Sequence, residues 1–228
     1  MDPSVITARD LSVALGGTVL LRPLDLSVRL GETVGIFGTA GSGKSILLRL
    51  LAGLLARSTG ELSVLGNTPS EPSVRAALSY IPAEPSLPSD MTVDALLQFY
   101  SRVFSDFDED AARERLSALK VKRDKRFGDF SLPTKKKVQL ILGLSRRARL
   151  FLVDEPLYGD AATRAYTLSL LLSVRSPENA LVVSASNPAE WEAHVDRYLF
   201  LLRGEAVMSG ATSESGASLS DEFRRLSQ

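Results

Sequence analysis

Residues 38–45 constrain this chain more than any other part of its sequence. They read Gly-Thr-Ala-Gly-Ser-Gly-Lys-Ser, which fits the G-x-x-x-x-G-K-[ST] spacing of a phosphate-binding loop. Glycine adopts backbone conformations that other residues resist, so several main-chain N–H groups can point into one concavity. A short apolar, β-branched segment, 33–37, precedes the loop, and leucines at helical spacing follow it over residues 44–56. The sequence therefore predicts a strand, a phosphate-binding loop and a helix in that order.

Each residue of this loop is a candidate contact for a nucleotide. The positive end of the following helix dipole favours phosphate. Lys44 can reach the β- and γ-phosphates, and the Ser45 hydroxyl can ligate Mg²⁺. The alternative is a glycine-rich turn that precedes a helix by chance, and with glycine at about 7% of residues such a match is on the order of 1% or less. We therefore expect ATP and Mg²⁺ to bind here, with contacts from Gly38, Thr39, Ala40, Gly41, Ser42, Gly43, Lys44 and Ser45.

A second acidic motif follows a buried-type strand, Leu150–Val153. Asp154 ends that strand and can lie beside the Mg²⁺, and Glu155 follows where a carboxylate could polarise an attacking water. A core strand that ends in two solvated acids would explain these residues equally well in isolation. The phosphate loop upstream favours the catalytic interpretation.

The order of elements predicts an α/β fold. Strands alternate with helices on both sides of a central stretch, which is typical of a mostly parallel sheet covered on both faces. We expect a P-loop NTPase core with an N-terminal antiparallel β-subdomain over residues 1–91 and 148–210. Three helical segments, 92–104, 109–119 and 134–147, predict an inserted helical subdomain over residues 92–147. Residues 211–228 form a Ser-rich C-terminal tail.

The composition excludes several kinds of site. Lys plus Arg equals Asp plus Glu at 27 each, so no global charge attracts nucleic acid, and we expect no nucleic-acid partner. The chain has no cysteine and one histidine, His194, which excludes thiolate and His-based metal sites. We expect His194 on a surface helix without a functional role. No stretch approaches 18 uncharged apolar residues, so the expected chain is soluble and cytoplasmic.

Taken together, these motifs resemble the nucleotide-binding domain of an ABC ATPase over nearly the whole chain. The resemblance rests on the phosphate loop, the helical insertion and the Asp154-Glu155-Pro156 segment. It implies that two such domains pair head to tail, each ATP lying between one subunit's phosphate loop and the other's signature motif. It also implies a membrane-spanning permease as partner, which would hold the chain at the inner face of the cell membrane.

The signature motif departs from the family pattern. The family usually has Leu-Ser-Gly-Gly-Gln, and here Ser131, Leu132, Pro133 and Thr134 stand at its last four positions. Leu132 adds a side chain where backbone must approach a phosphate, and Pro133 has no N–H to donate. The resemblance implies that these residues face the ATP of the partner subunit. Ser131 is equally well explained as a helix N-cap followed by an early proline.

Four further positions depart from the family pattern. Ala83 stands at the position of the family's glutamine, and Ser186 at that of its switch histidine, where a serine hydroxyl is a poor proton shuttle. Asp160 is one position out of register with the family's interface aspartate. Leu15 replaces the aromatic residue that stacks on adenine, and it can cover the base with less affinity.

Two functional hypotheses follow from this pattern. The first is the ATP-binding subunit of an ABC transporter that hydrolyses ATP weakly through Glu155 and Ser186, and that pairs with a second ABC ATPase in a heterodimer. The second is a regulatory or structural ATP-gated protein with negligible hydrolysis. The residues that hold the nucleotide match the family pattern, whereas those that assemble and switch the composite site depart from it. This favours the first hypothesis, the weakly hydrolysing transporter subunit.

Overall fold

The computed structural model describes residues 4–214 and 218–227. In this part of the chain the strands are β1 (Ser4–Leu15), β2 (Thr18–Arg29), β3 (Thr33–Phe37), β4 (Thr59–Val64), β5 (Leu78–Ile81), β6 (Leu150–Val153), β7 (Ala180–Ala185), β8 (Arg197–Leu202) and β9 (Glu205–Ala211). The helices are α1 (Lys44–Leu51), α2 (Pro72–Ala77), α3 (Val93–Val103), α4 (Glu109–Ala118), α5 (Leu132–Leu144), α6 (Ala161–Ser173) and α7 (Leu219–Leu226).

A six-stranded sheet in the order β5-β6-β7-β3-β8-β9 forms the centre of the molecule. Its pairings are parallel except for the antiparallel hairpin of β8 and β9. Every residue of β3, β6 and β7 is buried, which explains why their sequences are almost entirely apolar. The residues that follow these three strands meet at one edge of the sheet, where ligands of open α/β sheets bind.

A three-stranded antiparallel sheet, β2-β1-β4, lies N-terminal in sequence to most of the core. β1 pairs with both neighbours, and the β1–β2 hairpin turns at Gly16 and Gly17, which both have positive φ. Alternate buried and exposed residues in the second half of β2 fit a sheet with one face on the core. These two sheets confirm the predicted α/β fold class of a P-loop NTPase.

The helical stretch 92–147 contains α3, α4 and α5 and, among described residues, only isolated β-bridges. Thr92 caps α3 by accepting a hydrogen bond from the Ala95 N–H at 3.1 Å. α5 contributes seven consecutive buried residues, from Val138 to Leu144, that pack against β5. The boundaries of the proposed subdomain at residues 91/92 and 147/148 stay a prediction.

Several predicted boundaries are wrong for identifiable reasons. α5 begins at Leu132 and not at Thr134, because a proline in the first helical turn needs no N–H partner. α1 ends at Leu51, five residues early, because Gly53 adopts a left-handed conformation with φ +67°. The sequence pattern does not predict α2, which has six residues and is too short to show helical periodicity. His194 lies in a turn, not on a helix.

Arg146 joins the helical stretch to the central sheet. Its side chain is 3% exposed, and its guanidinium donates to both Asp106 carboxylate oxygens at 2.9 and 3.0 Å. It also donates to the carbonyl oxygen of Leu78 at 2.6 Å and to that of Ala76. The Phe104 ring lies over the guanidinium, 3.9 Å away. One arginine thus satisfies groups from three segments.

Candidate nucleotide-binding site

The loop 38–45 leaves β3 at the carboxyl edge of the central sheet. The Gly38 N–H donates to the Ala185 carbonyl at 3.2 Å, which fixes the loop to β7. A Cβ at Gly38 would overlap the Leu201 carbonyl oxygen and the Ser42 hydroxyl, so only glycine fits there. Gly43 has φ +105° and precedes α1 directly. The buried Ser42 hydroxyl has no hydrogen-bond partner among described residues, which leaves a free polar group within the loop.

Lys44 is 5% exposed and curls back over its own loop. Its Nζ atom donates to the carbonyl oxygens of Gly38 at 2.7 Å and Thr39 at 3.0 Å. Its third close neighbour is Oε1 of Glu155, also at 3.0 Å. The structure therefore brings the predicted phosphate-binding lysine and the predicted catalytic carboxylate into direct contact.

Asp154 is 3% exposed and is held by a serine that the sequence analysis missed. The Ser184 hydroxyl donates to Oδ1 of Asp154 at 2.5 Å and accepts from the Glu155 N–H at 2.9 Å. Ser184 is fully buried in β7 among apolar residues. A lone hydroxyl in an apolar strand was the signal that could have identified it, since a buried polar group requires a partner.

Glu155 is oriented by its backbone and by Ser186. Its φ is +44°, an uncommon conformation for a residue with a side chain. The Ser186 hydroxyl donates to Oε1 of Glu155 at 2.7 Å, and the Ser186 N–H donates to Oε2 at 3.2 Å. The two residues predicted for catalysis therefore touch each other at the end of β6 and β7.

These residues fit Mg²⁺ and a nucleotide in their donor chemistry. Ser45, half-buried in the first turn of α1, supplies a hydroxyl, and Asp154 supplies a carboxylate. Few protein ligands suit Mg²⁺ in nucleotide sites, because the ion keeps waters and takes phosphate oxygens. No group of three or more His, Cys, Asp or Glu side chains in the described residues could hold a metal by itself.

Comparison with known proteins identifies the family. The family model described as ABC transporter matches residues 21–158, more than half of the chain. This chain is an ABC ATPase nucleotide-binding domain. The matched range includes the phosphate loop, residues 131–134 and the Asp154-Glu155 pair. As a member of the ABC transporter family it is the ATP-binding subunit of a transporter.

Individual relatives agree with this assignment. The ABC transporter ATP-binding protein YtrB of Bacillus subtilis is 28% identical over 200 residues, covering 86% of this chain and 68% of the relative. A solved structure titled as an ATP-binding subunit of an ABC transporter superposes with a TM-score of 0.87 at 22% identity, covering 98% of this chain and all of the other. A dimeric ATP-binding cassette bound to ADP and Pi superposes with a TM-score of 0.78 at 17% identity, covering 91% and 98%. No helix in the described part of the ABC ATPase domain is long and apolar enough to cross a membrane.

The signature-like residues of this ABC ATPase domain lie at the start of α5. Ser131 is the N-cap residue, yet its side chain caps no backbone N–H and pairs with the Thr134 hydroxyl at 3.0 Å. Leu132 is 53% exposed. The Pro133 carbonyl accepts from the Tyr158 hydroxyl at 2.9 Å. No hydrogen bond joins residues 131–134 to the loop 38–45 in the described structure, and the role of these residues toward a partner's ATP stays a prediction.

The remaining departures occupy distinct environments. Leu15 is 68% exposed at the end of β1, so its contact with adenine stays a prediction. Ala83 is half-buried and lines a small cleft beside Asp154 and Glu155. Asp160 caps α6, accepting from the Thr163 N–H at 2.7 Å, and this hydrogen bond holds the pKa of Asp160 below its usual range.

Replacing Ser184 with alanine is expected to lower the free energy of unfolding by about 1–3 kcal/mol, because a buried carboxylate and a backbone N–H both lose their partner. It should also reduce the dependence of nucleotide affinity on Mg²⁺, since Asp154 is no longer held. Urea unfolding and calorimetric titration with and without Mg²⁺ measure the two effects. Ser169→Ala is the control, because its hydroxyl bonds only within α6. Equal stability of both variants would contradict the assigned role of Ser184.

Proposed function

We propose that this chain is the weakly hydrolysing half of a heterodimeric ABC ATPase that drives a separate membrane-spanning permease. The single observation that carries the proposal is an asymmetry within the chain. The loop 38–45, Asp154 and Glu155 retain the groups that nucleotide binding needs, whereas Leu132 and Pro133 occupy the segment that should hold the partner's nucleotide.

In this proposal the chain's own loop holds ATP and Mg²⁺. The backbone N–H groups of residues 38–45 and the Lys44 ammonium bind the phosphates, and Ser45 and Asp154 ligate the metal. Bound Mg²⁺ supplies neutralisation of the phosphate charge. Glu155 accepts a proton from water, and Ser186 orients the Glu155 carboxylate through its two hydrogen bonds.

In the same proposal, the signature segment of this chain binds the partner's nucleotide weakly. A signature segment binds phosphate with backbone N–H groups, and Pro133 has none to offer. Each lost charge-assisted bond costs about 1.5–3 kcal/mol. The Leu132 side chain, 53% exposed, occupies space that the family pattern leaves to backbone. The intact signature segment of a different partner would bind the ATP held in this chain's loop. This favours a heterodimer over a homodimer.

An apolar groove supports the proposed permease contact. It has a volume of about 470 Å³ and lies between the end of β5 and the helical stretch. Leu54 and Val103 line it and are 62% and 53% exposed, so the groove offers apolar surface for a partner to bury. Burial raises the pKa of Tyr80 in its wall, so this hydroxyl stays protonated. We propose that a short permease helix fills the groove and holds the chain at the inner face of the membrane.

The alternative function is an ATP-gated regulatory protein with negligible hydrolysis. Ser186 carries no charge and Ala83 has no ligating atom, so two groups that the family uses around the γ-phosphate are absent from the sequence. The two functions differ in whether Glu155 supports any turnover once a competent signature segment is supplied.

Restoring the signature in this chain tests both functions without the unknown partner. The double substitution Leu132→Gly and Pro133→Gly returns one backbone N–H and removes a side chain. We expect ATP turnover of the purified chain at saturating Mg·ATP to rise at least about tenfold, the effect of one recovered phosphate hydrogen bond. Adding Glu155→Gln should abolish the gain, and Glu84→Gln, whose carboxylate is 76% exposed, should not.

Three outcomes decide between the functions. A rise that depends on Glu155 supports the proposed weak half of a heterodimer. No rise in a variant that binds ATP and forms a dimer with Mg·ATP, as measured by size-exclusion chromatography, supports the regulatory alternative. Brisk turnover of the unmodified chain that Glu155→Gln abolishes overturns the idea that its signature is defective.

A further inference from the structure

The segment 82–86 is held to α5 by one buried side chain, Gln139. Its Oε1 atom accepts from the Ser86 N–H at 2.7 Å and from the Ser86 hydroxyl at 3.2 Å. Its Nε2 group donates to the carbonyl oxygens of Pro82 at 3.0 Å and Glu84 at 3.3 Å. Gln139 is 4% exposed, and the four side-chain hydrogen bonds that the described structure gives it all go to this segment.

These contacts exceed what packing of the helix requires. α5 is already joined to β5 by the Ser79 hydroxyl, which donates to the Gly143 carbonyl at 2.9 Å. An apolar side chain at position 139 would match the buried neighbours Val138 and Leu140 without the cost of burying an amide. The hydrogen bonds to segment 82–86 therefore explain why a buried amide occupies position 139.

The other end of the same helix contacts the loop after Glu155. The Tyr158 hydroxyl donates to the Pro133 carbonyl at 2.9 Å, and burial raises the pKa of Tyr158 to about 12, so the donor keeps its proton at neutral pH. Lys136 lies over the Tyr158 ring at 5.2 Å and pairs with Glu84 at 3.4 Å. The first two turns of α5 thus contact both the loop after Glu155 and the segment 82–86.

Ala83, in the middle of that segment, has a methyl group and no atom that can bind a metal or a phosphate. Its neighbours Pro82 and Ser86 line the apolar groove, as does Gln139 itself. The groove wall therefore has no side-chain link to a bound nucleotide at Ala83, and its strongest described attachment is to α5.

We propose that Gln139 is a positioning residue that makes the segment 82–86, and with it one wall of the groove, follow α5 and the Tyr158 loop. The nucleotide state then reaches the groove through the movement of α5. That the groove receives a permease helix rests on the proposed function, whereas the attachment of the segment to α5 does not.

Hydrogen exchange of the whole chain, followed by mass spectrometry with and without Mg²⁺ and a non-hydrolysable ATP analogue, tests the proposal. Gln139→Met keeps the volume and removes all four hydrogen bonds. We expect the amides of segment 82–86 to exchange about tenfold faster, the effect of about 1.4 kcal/mol of lost local stability. Ser79→Ala is the matched control, because it removes a buried bond between β5 and α5 that does not involve the segment.

The analogue provides the readout that a purely structural role would not change. In the native chain and in Ser79→Ala, we expect the analogue to alter exchange in residues 133–137 and in segment 82–86 together. In Gln139→Met, residues 133–137 should still respond and the segment should not. Gln139→Glu places an oxygen acceptor opposite the Pro82 and Glu84 carbonyl oxygens, so its segment should exchange at least as fast as in Gln139→Met.

The proposal is overturned by a segment whose exchange is unchanged in Gln139→Met, or by a segment that still responds to the analogue in that variant. Absence of any analogue response at α5 and the segment in the native chain overturns it as well. Failure of nucleotide binding itself is a different result, because it appears as unchanged exchange in the loop 38–45.

Discussion

Replacing Lys44 with alanine is expected to weaken binding of a non-hydrolysable ATP analogue by at least about a hundredfold. The ammonium group is positioned by the Gly38 and Thr39 carbonyl oxygens at the mouth of the loop. Loss of two charge-assisted bonds to phosphate, each worth about 1.5–3 kcal/mol, exceeds the roughly 2.7 kcal/mol that a hundredfold change represents. Calorimetric titration in the presence of Mg²⁺ measures the change.

Lys122→Ala is the control for this titration. Lys122 is exposed, far in sequence from the loop, and forms no ion pair among the described residues. Its substitution should leave the affinity within about twofold, because an isolated surface charge contributes little. Circular dichroism of both variants checks that they fold. Unchanged affinity in a folded Lys44→Ala chain would refute the phosphate-loop assignment itself.

Replacing Arg146 with methionine is expected to lower the free energy of unfolding by about 3 kcal/mol. The substitution keeps an apolar stem beside Phe104 but leaves the Asp106 carboxylate and the Leu78 carbonyl without their donor. Breaking one side of a buried ion pair costs about 3–5 kcal/mol, and we take the lower end because Asp106 is 22% exposed and regains some water. Equilibrium unfolding in urea measures the loss.

The adjacent residue supplies a matched control. Arg147 forms an equally short ion pair with Asp108, at 2.9 Å, but its side chain is 79% exposed. Arg147→Met should therefore cost less than about 1 kcal/mol. Similar losses of unfolding free energy in the two variants would show that the burial of Arg146 adds no stability. The role assigned to Arg146 would then be wrong.

The fold could be predicted from the sequence because its strongest signals are local. β3, β6 and β7 are apolar except for Thr33 and Ser184, and a glycine-rich turn or an acidic pair follows two of them. Those patterns indicate strand, loop and helix without knowledge of distant residues. Helix ends were less predictable, since Pro133 reads as a break and yet lies inside the first turn of α5.

The residues that organise the site could not be predicted in the same way. Ser184, Gln139 and Arg146 act on partners between 29 and 70 residues away along the chain. Their importance depends on which strands become neighbours, and residue type alone does not reveal it. The contact between Ser186 and Glu155 likewise requires the unusual φ of Glu155, which nothing in the local sequence demands.

The ion pair between Lys44 and Glu155 affects how substitutions in this site are to be interpreted. The Glu155 carboxylate lies 3.0 Å from the Lys44 ammonium and neutralises part of its charge. Because a triphosphate and this carboxylate are both anionic and both suit the same ammonium, we expect them to compete for Lys44. Glu155→Gln removes this carboxylate together with the proposed base, so we expect the variant to bind nucleotide more tightly and to lose hydrolysis. Tight nucleotide retention by that variant therefore measures release of Lys44 as well as loss of hydrolysis.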